Sequence, residues 1–150
     1  MSLPELVKSY QVVHQTGKGK NNLAFRSPNY HPFELISFAE YAAVLNAAHL
    51  VVARAGLSTL AELSALGKAA IIVPMPNSHQ EDNARILLAT NSAEVLMGKF
   101  ATAQNLIKLI NHLKFDPKAV EILSQNIKLL MPKDAAGELA KLCLAQNDQK

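Results

Sequence analysis

Short apolar runs alternate along this chain with stretches in which apolar residues recur every three or four positions. The runs predict strands and the recurring stretches predict helices. "YQVVHQ" (10–15) predicts a strand that ends in the loop "TGKGKNN" (16–22). "FELISF" (33–38) predicts a second strand and "AEYAAVLNAA" (39–48) a helix. "HLVVARAG" (49–56) predicts a strand entering a turn, and "STLAELSALG" (58–67) a helix stopped by Gly67. "AAIIVP" (69–74) predicts a strand ended by Pro74, residues 80–90 a helix, and "AEVLM" (93–97) a last strand. Three amphipathic helices follow: "TAQNLIKLINHL", "PKAVEILSQNIKLL" and "DAAGELAKLCLA". Apolar runs of this length, separated by helices, imply a Rossmann-like α/β domain: a parallel sheet covered on both faces. Ligands of such sheets bind beyond the carboxyl ends of the strands. The loops to inspect are therefore 15–22, 38–41, 53–59 and 75–83.

Composition narrows this picture. The 150 residues suit one domain, and 49% hydrophobic against 18% charged residues supports a packed core. No apolar stretch reaches the roughly 20 residues needed to cross a bilayer, and "MSLPELVKSY" has no signal-peptide pattern. A lone Cys143 excludes an internal disulfide and fits a reducing, cytoplasmic setting. The net charge of +3 suits an anionic ligand or a membrane surface. Tryptophan is absent and aromatics are sparse, so the stacking platforms of single-strand nucleic-acid binders are missing and no nucleic-acid partner is expected.

Two loops carry candidate chemistry. In the first, a strand stops at Arg54-Ala55-Gly56 and a helix begins near Ser58. Backbone N–H groups at that helix start attract phosphate, and Gly56 permits close approach. Glu62 follows shortly, where a carboxylate is able to accept hydrogen bonds from a ribose diol. Thr59-x-x-Glu62 is also a capping-box spacing, in which the glutamate only satisfies a backbone N–H. Spacing alone fits the cap better than the ribose. In the second loop, His79, Gln80 and Asn83 sit at a helix start beyond the strand that ends at Pro74. Amide side chains read sugar hydroxyls well, but the same residues make an ordinary polar first turn. "HQTGKG" (14–19) is a plain turn without Walker spacing, although Lys18 and Lys20 offer positive charge. Scattered histidines, one cysteine and the lack of a close acidic pair at a strand end give no metal signature. There is no G-x-S-x-G elbow.

Four pieces occur together in one order: "HQTGKG" (14–19), a phenylalanine before an acidic helix start (38–40), "AAHLVVARAGLSTLAELSALGKAAIIVPMP" (47–76) and "HQEDNA" (79–84). In this the chain resembles the C-terminal, donor-binding half of MurG-type glycosyltransferases, over roughly residues 4–145. That family transfers N-acetylglucosamine from UDP-GlcNAc to undecaprenyl-diphosphate-linked N-acetylmuramoyl-pentapeptide, the step from lipid I to lipid II in peptidoglycan synthesis. The resemblance implies the C-terminal half of a GT-B fold. It implies that Glu62 holds the uridine ribose hydroxyls, against the spacing-based preference for a cap. It also places Phe38 and Ala39 at uracil and Arg54, Gly56, Ser58 and Thr59 at the nucleotide. Gln80 and Asn83 fall near the GlcNAc hydroxyls, with His79 beside them. No metal or other cofactor is expected.

The departures are His49 for the family's usual aspartate, Leu57 for a common alanine, and the lack of an upstream first strand with its G-G-S-x-G loop. The N-terminal acceptor domain, with its expected catalytic base, is not among these residues either. No catalytic residue is identified in this chain, and alone it is expected to lack turnover. The full-length protein is expected on the cytoplasmic side, peripheral on the inner face of the plasma membrane. The missing first strand implies unpaired sheet edges and hence self-association. The alternatives are a stand-alone donor-binding subunit that needs a separate acceptor-binding membrane partner, and a non-catalytic or epimerase-like UDP-sugar-binding protein.

Overall fold

The computed structural model describes residues 3–20, 25–132 and 134–147. Asn21 and Asn22 of the expected 16–22 loop lie outside them. The described chain runs α1 (Leu3–Leu6), β1 (Val12–Gln15), β2 (Tyr30–Phe33), α2 (Phe38–Ala47), β3 (Val51–Ala53), α3 (Leu57–Leu66), β4 (Ala70–Ile72), α4 (Gln80–Ala89) and β5 (Glu94–Val95). A 3-10 turn (Gly98–Phe100) and the helices α5 (Ala103–Phe115), α6 (Pro117–Ile127) and α7 (Ala135–Asn147) complete it.

Every strand pairing is parallel, as the alternating pattern requires. β4 is the central strand of β3-β4-β5 and is buried at every residue. Its period-2 alternation divides the core. Ala70 and Ile72 join Leu60 and Leu63 of α3, Ala84 and Leu87 of α4 and Ile127 of α6 on one face. Ile71 joins Ile110 and Leu113 of α5 and Leu123 of α6 on the other. Each helix supplies residues three or four apart, so one stripe turns inward. α7 departs from the expected amphipathic pattern: none of its described side chains is buried, and Leu139, Leu142 and Leu144 are exposed.

The ladders form two sheets among the described residues, β1-β2 and β3-β4-β5. In a parallel strand, successive residues turn their backbone groups to opposite neighbours. Val12 N donates to Asn29 O and Thr16 N to Phe33 O, both at 2.8 Å, so the amides of Val13 and Gln15 face away from β2. Val51 N donates to Ala69 O and Val73 N to Ala53 O, which leaves the Val52 amide facing away from β4. The side chains of Val13 and Val52 are 44% and 46% exposed, unusual for β-branched residues of a covered sheet. The unpaired edges that the sequence implies therefore include the outer sides of β1 and β3, beside those of β2 and β5, among the described residues.

The second strand differs from its expected span. The apolar residues of 33–38 predict a strand there, but β2 ends at Phe33. Glu34 instead closes the preceding turn: its carbonyl accepts from Gly17 N at 3.0 Å and its carboxylate from Gly19 N at 3.2 Å. Ser37 then becomes the N-cap of α2, and Glu40 returns its carboxylate to Ser37 N in a complete capping box. Phe38 is therefore the first residue of a helix rather than the last of a strand. Pro32 is tolerated in β2 because the ladder register turns its missing N–H away from β1, on the outer edge. The last strand is shorter than expected, with only Glu94 and Val95 paired.

Candidate functional site at the carboxyl ends of β3 and β4

The two ladder partners Ala53 and Ile72 end β3 and β4 side by side. The chain leaves each into a turn and then a helix, so the turns 54–56 and 73–79 are neighbours. Arg54 ties them together. Its Nη1 donates to Val73 O at 3.0 Å and to Pro74 O at 3.1 Å. Asn83 of α4 adds a second tie, donating from Nδ2 to Ala55 O at 2.9 Å. Gln80 braces the 73–79 turn by accepting from Met75 N on Oε1 at 3.0 Å. Ser78 closes the same turn by donating from Oγ to Met75 O at 2.8 Å. Both expected sugar-reading amides are thus anchored at one end. Gln80 keeps its Nε2 donors and Asn83 its Oδ1 acceptor. His79 is the N-cap position of α4, exposed and without a side-chain capping bond.

Helix α3 begins at Leu57 with Gly56 as N-cap and no side-chain cap bond. Its first N–H groups, on Leu57, Ser58 and Thr59, have no side-chain acceptor, while the next, on Leu60, donates to Gly56 O at 3.0 Å. Gly56 holds φ −72° and ψ 138°, which any residue adopts. Conformation is thus no reason for glycine here, but space is. A Cβ at this position would meet only the Thr59 hydroxyl, 4.0 Å away, so the space around Gly56 at the helix start is open.

The capping box expected from Thr59 and Glu62 does not form. Thr59 is the third helical residue, not the N-cap, because the helix starts at Leu57, three residues before the start that an N-cap at Thr59 requires. Glu62 lies in the second turn, and its Oε2 accepts from Tyr41 Oη of α2 at 3.1 Å. That bond joins α3 to the helix whose exposed first turn holds Phe38 and Ala39. Phe38 is 89% exposed, a large apolar side chain without cover. Phe38 and Tyr41 are three residues apart and so share a helix face.

Residues Arg54, Gly56, Ser58, Thr59, Gln80 and Asn83 are brought together by direct bonds or chain adjacency. Phe38, Ala39 and Glu62 join them through Tyr41, which the sequence reading missed. Its signal was weak: a tyrosine on an alanine-rich helix looks like packing. The loop 14–19 stays a plain turn, since the Gly17 and Gly19 amides are taken by Glu34. No group of three or more potential metal ligands occurs among the described residues. No described helix is long and apolar enough to cross a membrane.

Comparison with known proteins identifies the family and the fold. Residues 2–139 match the model of the glycosyltransferase family 28 C-terminal domain. The UDP-N-acetylglucosamine–N-acetylmuramyl-(pentapeptide) pyrophosphoryl-undecaprenol N-acetylglucosamine transferase 2 of Bacillus thuringiensis (strain Al Hakam) is 36% identical over 148 residues, covering 88% of this chain and 36% of that protein. The transferase of that name in Myxococcus xanthus (strain DK1622) is 34% identical over 151 residues, covering 95% of this chain and 39% of its own length. The chain thus spans well under half of these relatives. Among solved structures, Acinetobacter baumannii MurG superposes with a TM-score of 0.72 at 23% identity, over 94% of this chain and 43% of that one. The glycosyltransferase VinC in complex with dTDP gives 0.71 at 17% identity, over 94% and 37%. These likenesses establish a GT-B glycosyltransferase fold.

Proposed function

The chain belongs to glycosyltransferase family 28, as its C-terminal domain, and on that premise we propose that it binds UDP-GlcNAc as the donor half of an inverting N-acetylglucosaminyl transferase. The full enzyme then converts lipid I to lipid II, as the names of the relatives indicate. One observation carries the reading: the uncapped N-terminus of α3, cleared by Gly56, with the Glu62 carboxylate one turn further along the same helix. The open N–H groups suit the diphosphate and the carboxylate suits the ribose. Phe38 and Ala39 stand for uracil, and Gln80, Asn83 and His79 for the sugar. As the acceptor hydroxyl attacks the anomeric carbon, the glycosidic bond to the diphosphate breaks. The α3 N-terminus then stabilises the departing UDP by charge already in place, without need of a metal.

No base is positioned for the acceptor among the described residues of this site. Deprotonation and acceptor binding fall to a second half, in the same polypeptide or a partner chain, and that assembly works at the cytoplasmic face of the plasma membrane. The free edges at β1 and β3 favour self-association of this chain in isolation. Light scattering on a size-exclusion peak is expected to give a mass above the 16.3 kDa protomer, and a monomer at all concentrations contradicts it. Titration calorimetry tests the donor reading itself. UDP-GlcNAc is expected to bind, with UDP competing and ADP not. Absence of binding, or equal competition by ADP, contradicts the proposal.

A further inference from the structure

We infer that Tyr41 is a positioning residue for nucleoside recognition: its hydroxyl, donated to Oε2 of Glu62, aims that carboxylate at the ribose diol and fixes it to the helix turn proposed to read the base. The inference rests on the donor-binding reading. Among the described residues, Tyr41 is the only hydrogen-bond partner that Glu62 has, at 3.1 Å. Tyr41 is itself held. Its backbone N–H donates to Ser37 O at 2.8 Å, and the Ser37–Glu40 capping box sets the start of α2. Burial, the charge of Glu62 and the hydrogen bond to it, in that order, push the Tyr41 pKa above the usual tyrosine value. The hydroxyl therefore keeps its proton near neutral pH and remains the donor.

The chemistry favours such a brace. A carboxylate offers about four acceptor directions. Tyr41 takes one, and a cis-diol needs two. A glutamate with no partner samples many rotamers and loses that freedom on binding, at a cost to affinity. One hydroxyl from α2 removes much of this cost beforehand. It also couples two contacts that lie far apart in sequence, the first turn of α2 at the base and the second turn of α3 at the ribose. A ribose is recognised against a deoxyribose through its 2′-hydroxyl, so the brace is read in the ratio of affinities for UDP and dUDP.

The experiment measures UDP and dUDP binding to the 150-residue chain and to its Tyr41→Phe, Glu62→Ala and double variants. The wild type is expected to prefer UDP, and Tyr41→Phe to lower that preference about 5-fold. In the Glu62→Ala background the tyrosine change is expected to do nothing further. The ratio is insensitive to how much of each preparation is folded, so a merely structural role for Tyr41 leaves it unmoved. A Tyr41→Phe ratio equal to wild type, with Glu62→Ala collapsing it, overturns the inference while the donor reading stands. No UDP binding by the wild type, or an unchanged ratio in Glu62→Ala, overturns the donor reading and the inference with it.

Discussion

Glu62→Ala is expected to weaken UDP-GlcNAc binding by about 1.5–3 kcal/mol, the worth of a hydrogen bond to a charged group. That is about ten- to a hundredfold in affinity. The fold should hardly notice. Had Glu62 closed a capping box with Thr59, its removal would cost α3 its N-terminal brace. Instead the cap position is Gly56, and among the described residues the only side-chain bond lost is the one from Tyr41 at 3.1 Å. A neutral replacement of this kind costs on the order of 1 kcal/mol or less, a melting shift of about 2–4 °C for a chain of this size. Calorimetry and a thermal melt on one preparation separate the two roles. Lost affinity with a nearly unchanged melt supports the ribose contact. Unchanged affinity with a melt lowered by much more than this contradicts it.

Gly56→Val is expected to act on the same site from the phosphate side. The backbone at Gly56 suits valine, and the new Cβ meets only the Thr59 hydroxyl, 4.0 Å away. The protein therefore folds, losing about 1 kcal/mol for the poorer N-cap. The added methyl groups are expected to fill open space at the start of α3 and to crowd a diphosphate that approaches its first N–H groups. Shielding one or two hydrogen bonds to a charged diphosphate removes about 1.5–3 kcal/mol each. UDP affinity should fall at least about tenfold, while uridine, which has no phosphate, binds as weakly as before. Equal losses for UDP and uridine would point to a general distortion of the turn and contradict the phosphate role.

Much of this architecture is legible in the sequence because its signals are local. Apolar runs around 51–53 and 70–72 mark the strands that become β3 and β4. Gly67, at φ 62°, ends α3 as a left-handed C-cap. The errors fall where tertiary contacts overrule local pattern. Residues 34–37 have strand-like apolar content, but Glu34 is captured by the turn before it and Ser37 by the helix after it. A Ser-x-x-Glu pattern at 37–40 forms the real capping box, and the identical logic at 59–62 fails because the helix begins at Leu57. The spacing of Thr59 and Glu62 carries no information about where the helix starts, and only the start decides between cap and ligand. Tyr41 escaped notice for a related reason: its partner lies 21 positions away, beyond any local pattern. Arg54 and Asn83 were found by their place in the turn motifs, but the carbonyls they hold were not foreseeable from the chain alone.

The most direct test is a titration of UDP-GlcNAc into the isotopically labelled chain, followed by amide chemical shifts residue by residue. The site described here predicts the largest changes at the amides of Gly56, Leu57, Ser58 and Thr59, with smaller ones at Ala39, Glu62 and Gln80. Saturable changes confined to those turns would support donor binding at the carboxyl ends of β3 and β4. Changes centred on other surfaces, or none at millimolar donor, would contradict it.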